Sequence, residues 1–318
     1  MLLCSNDMDR TEELLHDLRN FLDEFEQRRG EQDVRAQVRQ LLPVSSTIQK
    51  LGKSLLSENL REGAKPRLLR YFRMYPRLAI PHTELAIVAG ISEWARRIRE
   101  LRIESGWPIF SGETASEMLE EDEIGDEDHL LSNLGSSEYV LLEDQPDENA
   151  AEKWKISNEI RRAIKNSQMT IHEGLLQYFR KNVARPVTGE ELRYVANDQS
   201  EWARRIRELR TEHGWPITTK HSGNPSLPIG VYLLEADRQS PPHDRRIKDH
   251  VRREALRRDS YRCRKCGWSH DDWNRSDPRF LEIHHVVHHV HGGENELDNL
   301  VTYCNVCHDR VHAVDTNH

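Results

Sequence analysis

Apolar positions recur at helical spacing near the start of the chain. Leu14, Leu18, Phe21 and Phe25 fall at four-three-four intervals, and Leu15 and Leu22 widen the stripe, which predicts an amphipathic helix from about Asp9 to Gln27. More helix is expected up to Leu56. This region reads either as a helical lid packed on the rest of the chain or as a self-association surface. The stripe is too short to demand a coiled coil.

The pattern then repeats. SEWARRIRELR stands at 92–102 and, unchanged, at 200–210, a period of 108 residues. LLRYFR at 68–73 faces LLQYFR at 175–180, and EYVLLED near 138 faces VYLLEAD near 231. Units of this length are domains rather than solenoid repeats. Each reads helix, helix, helix, strand, loop, strand. The second helix follows Pro81-His82-Thr83 in one copy and a Thr188/Glu191 capping box in the other. Ser92 and Ser200 are candidate N-caps of the third helix, and Gly106 and Gly214 its C-terminal stops. The order resembles a winged helix. The first hairpin loop is long and acidic, and the second, SGNPSLPIG, is short.

Trp94, Ile98 and Leu101 lie at i, i+4 and i+7, so they face the core, and Trp202, Ile206 and Leu209 do so in the second copy. Arg96 and Arg99 then point outward with Arg97 on the flank, and Arg204, Arg207 and Arg205 correspond. In a helix-turn-helix this helix enters the major groove, where arginine bonds guanine edges or phosphates. The bland alternative is a solvated face of i,i+4 Arg–Glu pairs.

Net charge changes the picture only once it is localised. The chain of 318 residues carries −8, which taken alone argues against a polyanionic partner. Fifteen Asp or Glu and no Lys or Arg lie between Gly112 and Glu152, so setting that stretch aside turns −8 into +7. The segment from Gly112 to Ser137 has a composition that favours disorder. Arg245 to Lys265 holds ten Lys or Arg against three Asp or Glu, a basic patch suited to phosphates. RQSPPHD, Arg238 to Asp244, reads as a linker. No apolar run approaches the ~20 residues of a membrane span. The start lacks the features of a secretory signal. The expected location is cytoplasmic.

Five cysteines include two Cys-x-x-Cys pairs, Cys263/Cys266 and Cys304/Cys307, with Cys4 left over. Four thiolates from two knuckles suit a closed tetrahedral Zn²⁺ that staples a small domain. LEIHHVV reads as a strand whose adjacent His284 and His285 face opposite ways. His308 and His312 share one helix face. A second metal held by His284, His308 and His312 would keep an open position, leaving His285 as a general base.

CRKCG followed by LEIHHVVHHVHGGENELDNLVTYCNVCHDRVH resembles the HNH nuclease family over about Ala255 to Ala313. The resemblance implies a ββα-metal fold. It implies that His284 binds the catalytic metal, His285 activates water and Asn299 orients the loop of the base histidine. His308 follows as the last family ligand, with His312 a further ligand in part of the family. It implies hydrolysis of DNA to 5′-phosphate and 3′-hydroxyl ends. Nothing in the sequence selects among Mg²⁺, Mn²⁺, Ni²⁺ and Zn²⁺ as the catalytic metal, though imidazole ligands admit transition ions more readily than an all-oxygen site would. His288, His289 and His291 stand where many members have proline.

The fold class expected is α+β, multi-domain and mostly helical: a helical region 1–60, winged-helix-like units 61–150 and 151–240, and a zinc-stapled HNH domain 241–318. The function expected is a restriction-type endonuclease on double-stranded DNA, of which a homodimer would cut both strands. Winged helices of this kind resemble those found with nuclease domains in restriction enzymes, including some that cut only methylated DNA. The alternatives are a zinc-bearing DNA-binding regulator and a nonspecific defence nuclease.

Overall fold

The computed structural model describes residues 5–315 apart from 29, 31–32, 57–61, 126–127, 242–243, 245, 275 and 288–292. Cys4, His288, His289 and His291 therefore lie outside the described residues. The chain divides into two compact units, one of residues 1–111 and 137–150, the other of 112–136 and 151–318. Most described residues are helical, and the sheets are small. No helix among them is long and apolar enough to cross a membrane.

In the first unit, α1 (Ser5–Arg28) and α2 (Val34–Leu56) pack as a helical hairpin. Leu14 is buried, and Leu18, Phe21 and Phe25 are partly so, while Leu22 is exposed. Gly52 lets α2 approach α4 (His82–Ala89): a Cβ there would lie 2.2 Å from the Ile87 carbonyl oxygen. Val34, Val38, Leu42 and Leu55 of α2 stay exposed.

α3 (Ala64–Met74) contributes Leu68 and Phe72 to the core, β1 (Ile80–Pro81) Ile80, and α5 (Trp94–Arg99) Ile98. Buried Arg67 donates from Nε to Val88 O (2.7 Å) and from Nη2 to Ala89 O (2.6 Å), satisfying the C-terminal carbonyls of α4. β2 (Ile109–Ser111) and β3 (Glu138–Leu141) complete a sheet of order β1-β3-β2, antiparallel throughout.

The second unit repeats this plan. α8 (Ala150–Lys165) leads into α9 (Ile171–Lys181), β4 (Val187–Thr188), α10 (Gly189–Val195), α11 (Trp202–Thr211), β5 (Ile217–Thr219) and β6 (Val231–Leu234). The sheet order is β4-β6-β5. The expected Thr188/Glu191 capping box forms, and a second one forms at Thr170/Glu173. Ser92 and Ser200 are not N-caps. Glu93 and Glu201 take those positions, with no side-chain cap bond, because a turn delays the helix by one residue. Gly106 (φ +68°) and Gly214 (φ +70°) end the helices in the left-handed conformation, as expected.

The acidic segment is ordered where described, contrary to its composition. α6 (Gly112–Glu120) and α7 (His129–Ser132) fold within the second unit. Ala115, Met118, Ile124, Leu131 and Leu134 are buried, and these apolar positions were masked by the surrounding charge. Met118 packs so closely that a Cβ on Gly189 would lie 2.8 Å from its sulfur. The acids find cations: Glu117 on Arg193 (2.9 Å), Glu121 on Arg207 (2.9 Å), Glu123 on Arg210 (2.7 Å), Asp128 on Lys220 (3.3 Å) and Asp122 on Arg253 (3.2 Å). Glu117 also accepts from Trp202 Nε1 at 2.6 Å.

The chain ends in α12 (Asp249–Arg258), the hairpin β7 (Leu281–His285) and β8 (Leu300–Cys304), and α13 (Asn305–Asp315). β7 and β8 pair antiparallel, with Leu281 opposite Cys304 and His285 opposite Leu300. Ala255, Leu256, Trp268, Leu281, Ile283 and Leu300 form their core.

Candidate active site

The four cysteines meet where α12 runs into the hairpin. Cys263 accepts from the Gly267 amide (2.8 Å), and Gly267 turns at φ +78°. Cys304 ends β8, and Cys307 lies in the first turn of α13. The four Sγ atoms lie within 4.8 Å of one another, and the Cys266 and Cys304 sulfurs are 3.7 Å apart, too far for a disulfide. Burial pushes the Cys263 thiol up, but the backbone N–H groups around it outweigh that and bring it down to about 7. Burial holds Cys304 up. A closed set of four sulfurs fits a structural zinc.

The histidines gather on the other side of the hairpin around a carboxylate, Asp244. His308 Nε2 lies 2.8 Å and His312 Nε2 2.9 Å from Asp244 Oδ2, and His284 Nδ1 is 3.4 Å from it. The two Nε2 atoms are themselves 3.1 Å apart. Imidazole nitrogens this close to each other and to one oxygen share a single cation more readily than separate protons. These four residues form a group whose ligand atoms lie within 4.8 Å of one another, three of the residues being buried. The donor set therefore fits a divalent metal.

Electrostatics follow from that crowding. Burial disfavours ionised Asp244, yet hydrogen bonds from His284, His285 and His308 hold it far below the usual carboxylate range. Burial also disfavours charged His308, but Asp244 and Glu282 lift it to about 9. His312 is pushed down by burial and by the neighbouring His308 charge. Each shift describes the same pairing of one buried anion with converging imidazoles.

His285 is fully buried and uses the other carboxylate oxygen. Asp244 Oδ1 accepts from its backbone N–H (3.1 Å) and lies 3.0 Å from Nδ1. His285 Nε2 is 2.7 Å from Asn295 Oδ1, and Asn295 Nδ2 donates to Arg246 O at 3.2 Å. Both ring nitrogens thus face acceptors. Burial lowers the His285 pKa, but Asp244 and Asn295 raise it further. Asn299 bonds the loop rather than the ring. Its Nδ2 donates to Val287 O and Glu294 O, and its Oδ1 accepts from Val287 N, at 3.0, 2.9 and 2.8 Å.

The comparisons with known proteins agree with this geometry. Residues 263–313 match the model of the HNH endonuclease family. The KpnI N-terminal domain matches over 65–141 and 172–235, the spans from α3 to β3 and from α9 to β6. The chain carries an HNH endonuclease domain preceded by a KpnI N-terminal domain. Neither a curated protein nor a solved structure matches it.

Within the HNH domain, His284, His285, His308 and His312 come together as their spacing predicts. Asp244 was missed. The segment reads as a linker, and nothing in its spacing links it to histidines 40 to 68 residues downstream. Asn295 was missed too: it stands ten residues after His285 across the loop, and nothing in that spacing marks it as a partner of the ring. Glu282 was also missed, although it sits two residues before His284 and strand alternation, which puts both on one face of β7, could have found it. Its Oε2 is 2.9 Å from His308 Nδ1 and 3.1 Å from Arg238 Nη2. Arg238 also bonds Asp309 twice at 3.0 Å, so Glu282 and Asp309 are already neutralised by a guanidinium.

Four of the nominated arginines pair with a glutamate three or four residues further on, and a fifth pairs with the acidic segment. Arg96 and Arg97 both bond Glu100, and Arg99 is exposed. Arg204 and Arg205 bond Glu208, and Arg207 bonds Glu121. The acidic loop therefore lies against α11 of the second repeat.

Proposed function

We propose that the protein is a restriction-type endonuclease whose HNH domain hydrolyses phosphodiester bonds of double-stranded DNA while the two repeat units read the duplex. The observation that carries this is Asp244 with its histidines: three imidazoles on one carboxylate oxygen and His285 on the other.

His284, His308, His312 and Asp244 would hold one divalent cation, which when bound neutralises charge developing on the phosphate and leaving oxygens. Imidazoles favour a transition ion such as Mn²⁺, Ni²⁺ or Zn²⁺, while the Asp244 oxygen also admits Mg²⁺. Asp244 Oδ1 accepts Nδ1–H of His285 and so fixes the tautomer with its lone pair on Nε2. Asn295 Oδ1 must yield Nε2 to the attacking water. His285 then takes the proton of that water at Nε2. Asn299 ties both sides of the intervening loop together and so keeps His285 aligned.

The helix–strand–helix–helix–strand–strand order and the β1-β3-β2 and β4-β6-β5 sheets support a winged-helix reading of both repeats. Arg96, Arg97 and Arg99 on α5, and Arg204, Arg205 and Arg207 on α11, are then the candidate DNA contacts. The exposed apolar positions of α2 support a homodimer, which sedimentation of the full chain would test. The function itself is tested by His285→Ala, assayed for plasmid cleavage and for DNA binding. Cleavage should be lost, by about 10²–10⁴-fold, with binding retained. Equal loss of both would remove His285 from catalysis.

A further inference from the structure

SEWARRIRELR occurs in both repeats, yet its two copies meet different surroundings. On α5, Ala95, Arg96 and Arg99 share the outer face, and all three are exposed. Arg99 makes no ion pair among the described residues. Their equivalents on α11 are Ala203, Arg204 and Arg207. Ala203 is fully buried, and Arg207 pairs with Glu121 of the acidic segment at 2.9 Å. Only Arg204 stays nearly as open as Arg96, each with a glutamate one turn on. The helices also differ in course. α11 runs as one α-helix to Thr211, while α5 gives way to a π-helical turn over Glu100–Glu104, where Ser105 N donates to Glu100 O at 3.0 Å. Turns of this kind recur at functional sites.

The acidic segment does more than hold Arg207. Glu117 meets Arg193 on α10 at 2.9 Å, and Asp128 meets Lys220, next to β5, at 3.3 Å. Its carboxylates thus lie on the third helix of the repeat, on the helix before it and at the hairpin, where a winged helix would meet phosphates. The segment is also anchored. Met118 and Leu131 are fully buried, and Glu123 meets Arg210 with both side chains shut off from solvent. Lifting the segment would expose that apolar surface and part a buried ion pair, which one phosphate contact by a half-exposed arginine does not offset.

We propose that α5 of the first repeat is the helix that reads bases, with Arg99 as a specificity-determining residue, and that the acidic segment keeps α11 out of the groove. The chemistry of the partner is visible on the sister helix. There the same arginine holds a carboxylate, whereas on α5 it is left for an anion from outside, here the duplex. The guanidinium fork of Arg99 suits guanine O6 and N7, and the Ala95 methyl one turn earlier suits the methyl of thymine. This inference rests on the winged-helix reading above and chooses between its two helices. The second repeat then touches the duplex through phosphates rather than base edges.

The test uses the full chain carrying His285→Ala, so that no cleavage intervenes, and a library of random-sequence duplexes, unmodified or with methylated cytosine or adenine. Repeated binding and sequencing give the preferred site. Adding Arg99→Ala should lower affinity for that site about 5–100-fold and remove the preference at one or more of its positions. Arg99→Lys keeps the charge but not the fork, so affinity for unrelated duplex should hold while the preference is lost. Arg207→Ala strips Glu121 of its cation and should weaken every duplex alike, because phosphate contacts carry no sequence. Thermal unfolding should be the same for both Arg99 variants and the parent, since an exposed side chain is changed. A preference that survives both Arg99 variants would overturn the proposal, as would one that shifts with Arg207→Ala. A library from which no sequence is enriched in any form would refute the winged-helix reading itself, and the proposal with it.

Discussion

Arg210→Ala should cost the second unit far more than the same change at Arg102, although both residues end the identical SEWARRIRELR segment. The Arg210 side chain is 1 % exposed and lies between two carboxylates. It meets Glu123 at 2.7 and 3.2 Å and Asp249 at 2.6 and 3.0 Å. Glu123 is fully buried and Asp249 7 % exposed, so removing the guanidinium leaves two buried anions without their hydrogen-bonded cation, with only Arg252 and Arg253 nearby to offset them. Breaking a buried pair costs about 3–5 kcal/mol, even where the intact pair adds little over a hydrophobic replacement. Protonation of one carboxylate limits the cost to that range rather than twice it. For a unit of this size the melting temperature should fall by roughly 6–20 °C. Arg102 instead lies over the Tyr139 ring at 5.8 Å, a contact of about 0.5–2 kcal/mol. Differential scanning calorimetry and urea unfolding of both variants measure the difference. Combining Arg210→Met with Glu123→Leu and Asp249→Leu should recover most of the loss. If Arg210→Ala stays within about 1 kcal/mol of wild type, the cluster does not tie the acidic segment to α11 and α12.

Asp244→Asn keeps the shape but puts an amide where imidazoles converge, so metal affinity by calorimetry and cleavage should both fall, by about 10–100-fold. Undiminished affinity would make Asp244 an orienting group alone. Cys266→Ser changes the exposed member of the four-sulfur set and should release zinc, read by metal analysis, with loss of the HNH domain's thermal transition. Glu121→Gln with Asp128→Asn should leave stability nearly unchanged, since half-exposed ion pairs contribute about 0–1 kcal/mol. The freed Arg207 and Lys220 should raise DNA affinity at low salt and steepen its salt dependence by up to about 0.9 per cation that finds a phosphate. An unchanged salt slope would mean that neither cation faces DNA.

The parts of the fold that were legible rest on local rules. The stripe of α1, the Thr188 capping box, the glycines at 106 and 214 and the alternation of β7 all depend on residues within a turn or two of one another. His308 and His312 share a helix face because they are four apart, and the cysteine pairs announce themselves by spacing. The illegible parts are long-range. Asp244 reaches His308 across 64 residues, and Glu123 reaches Arg210 across 87. Composition misled over 112–136, where five buried apolar side chains outweigh a high acid content. Sequence phasing put Arg207 on an outer face correctly, but nothing in the spacing reveals that Glu121 lies against it.

Asp244 and its histidines should cleave DNA only with a divalent metal bound. Purified protein should be incubated with supercoiled plasmid, unmodified or methylated, in Mg²⁺, Mn²⁺ or Ni²⁺ and in chelator. Discrete fragments with 5′-phosphate ends should form in at least one metal and none in chelator or with His285→Ala. Intact plasmid in every metal, from protein that still shifts the DNA on a gel, would contradict it.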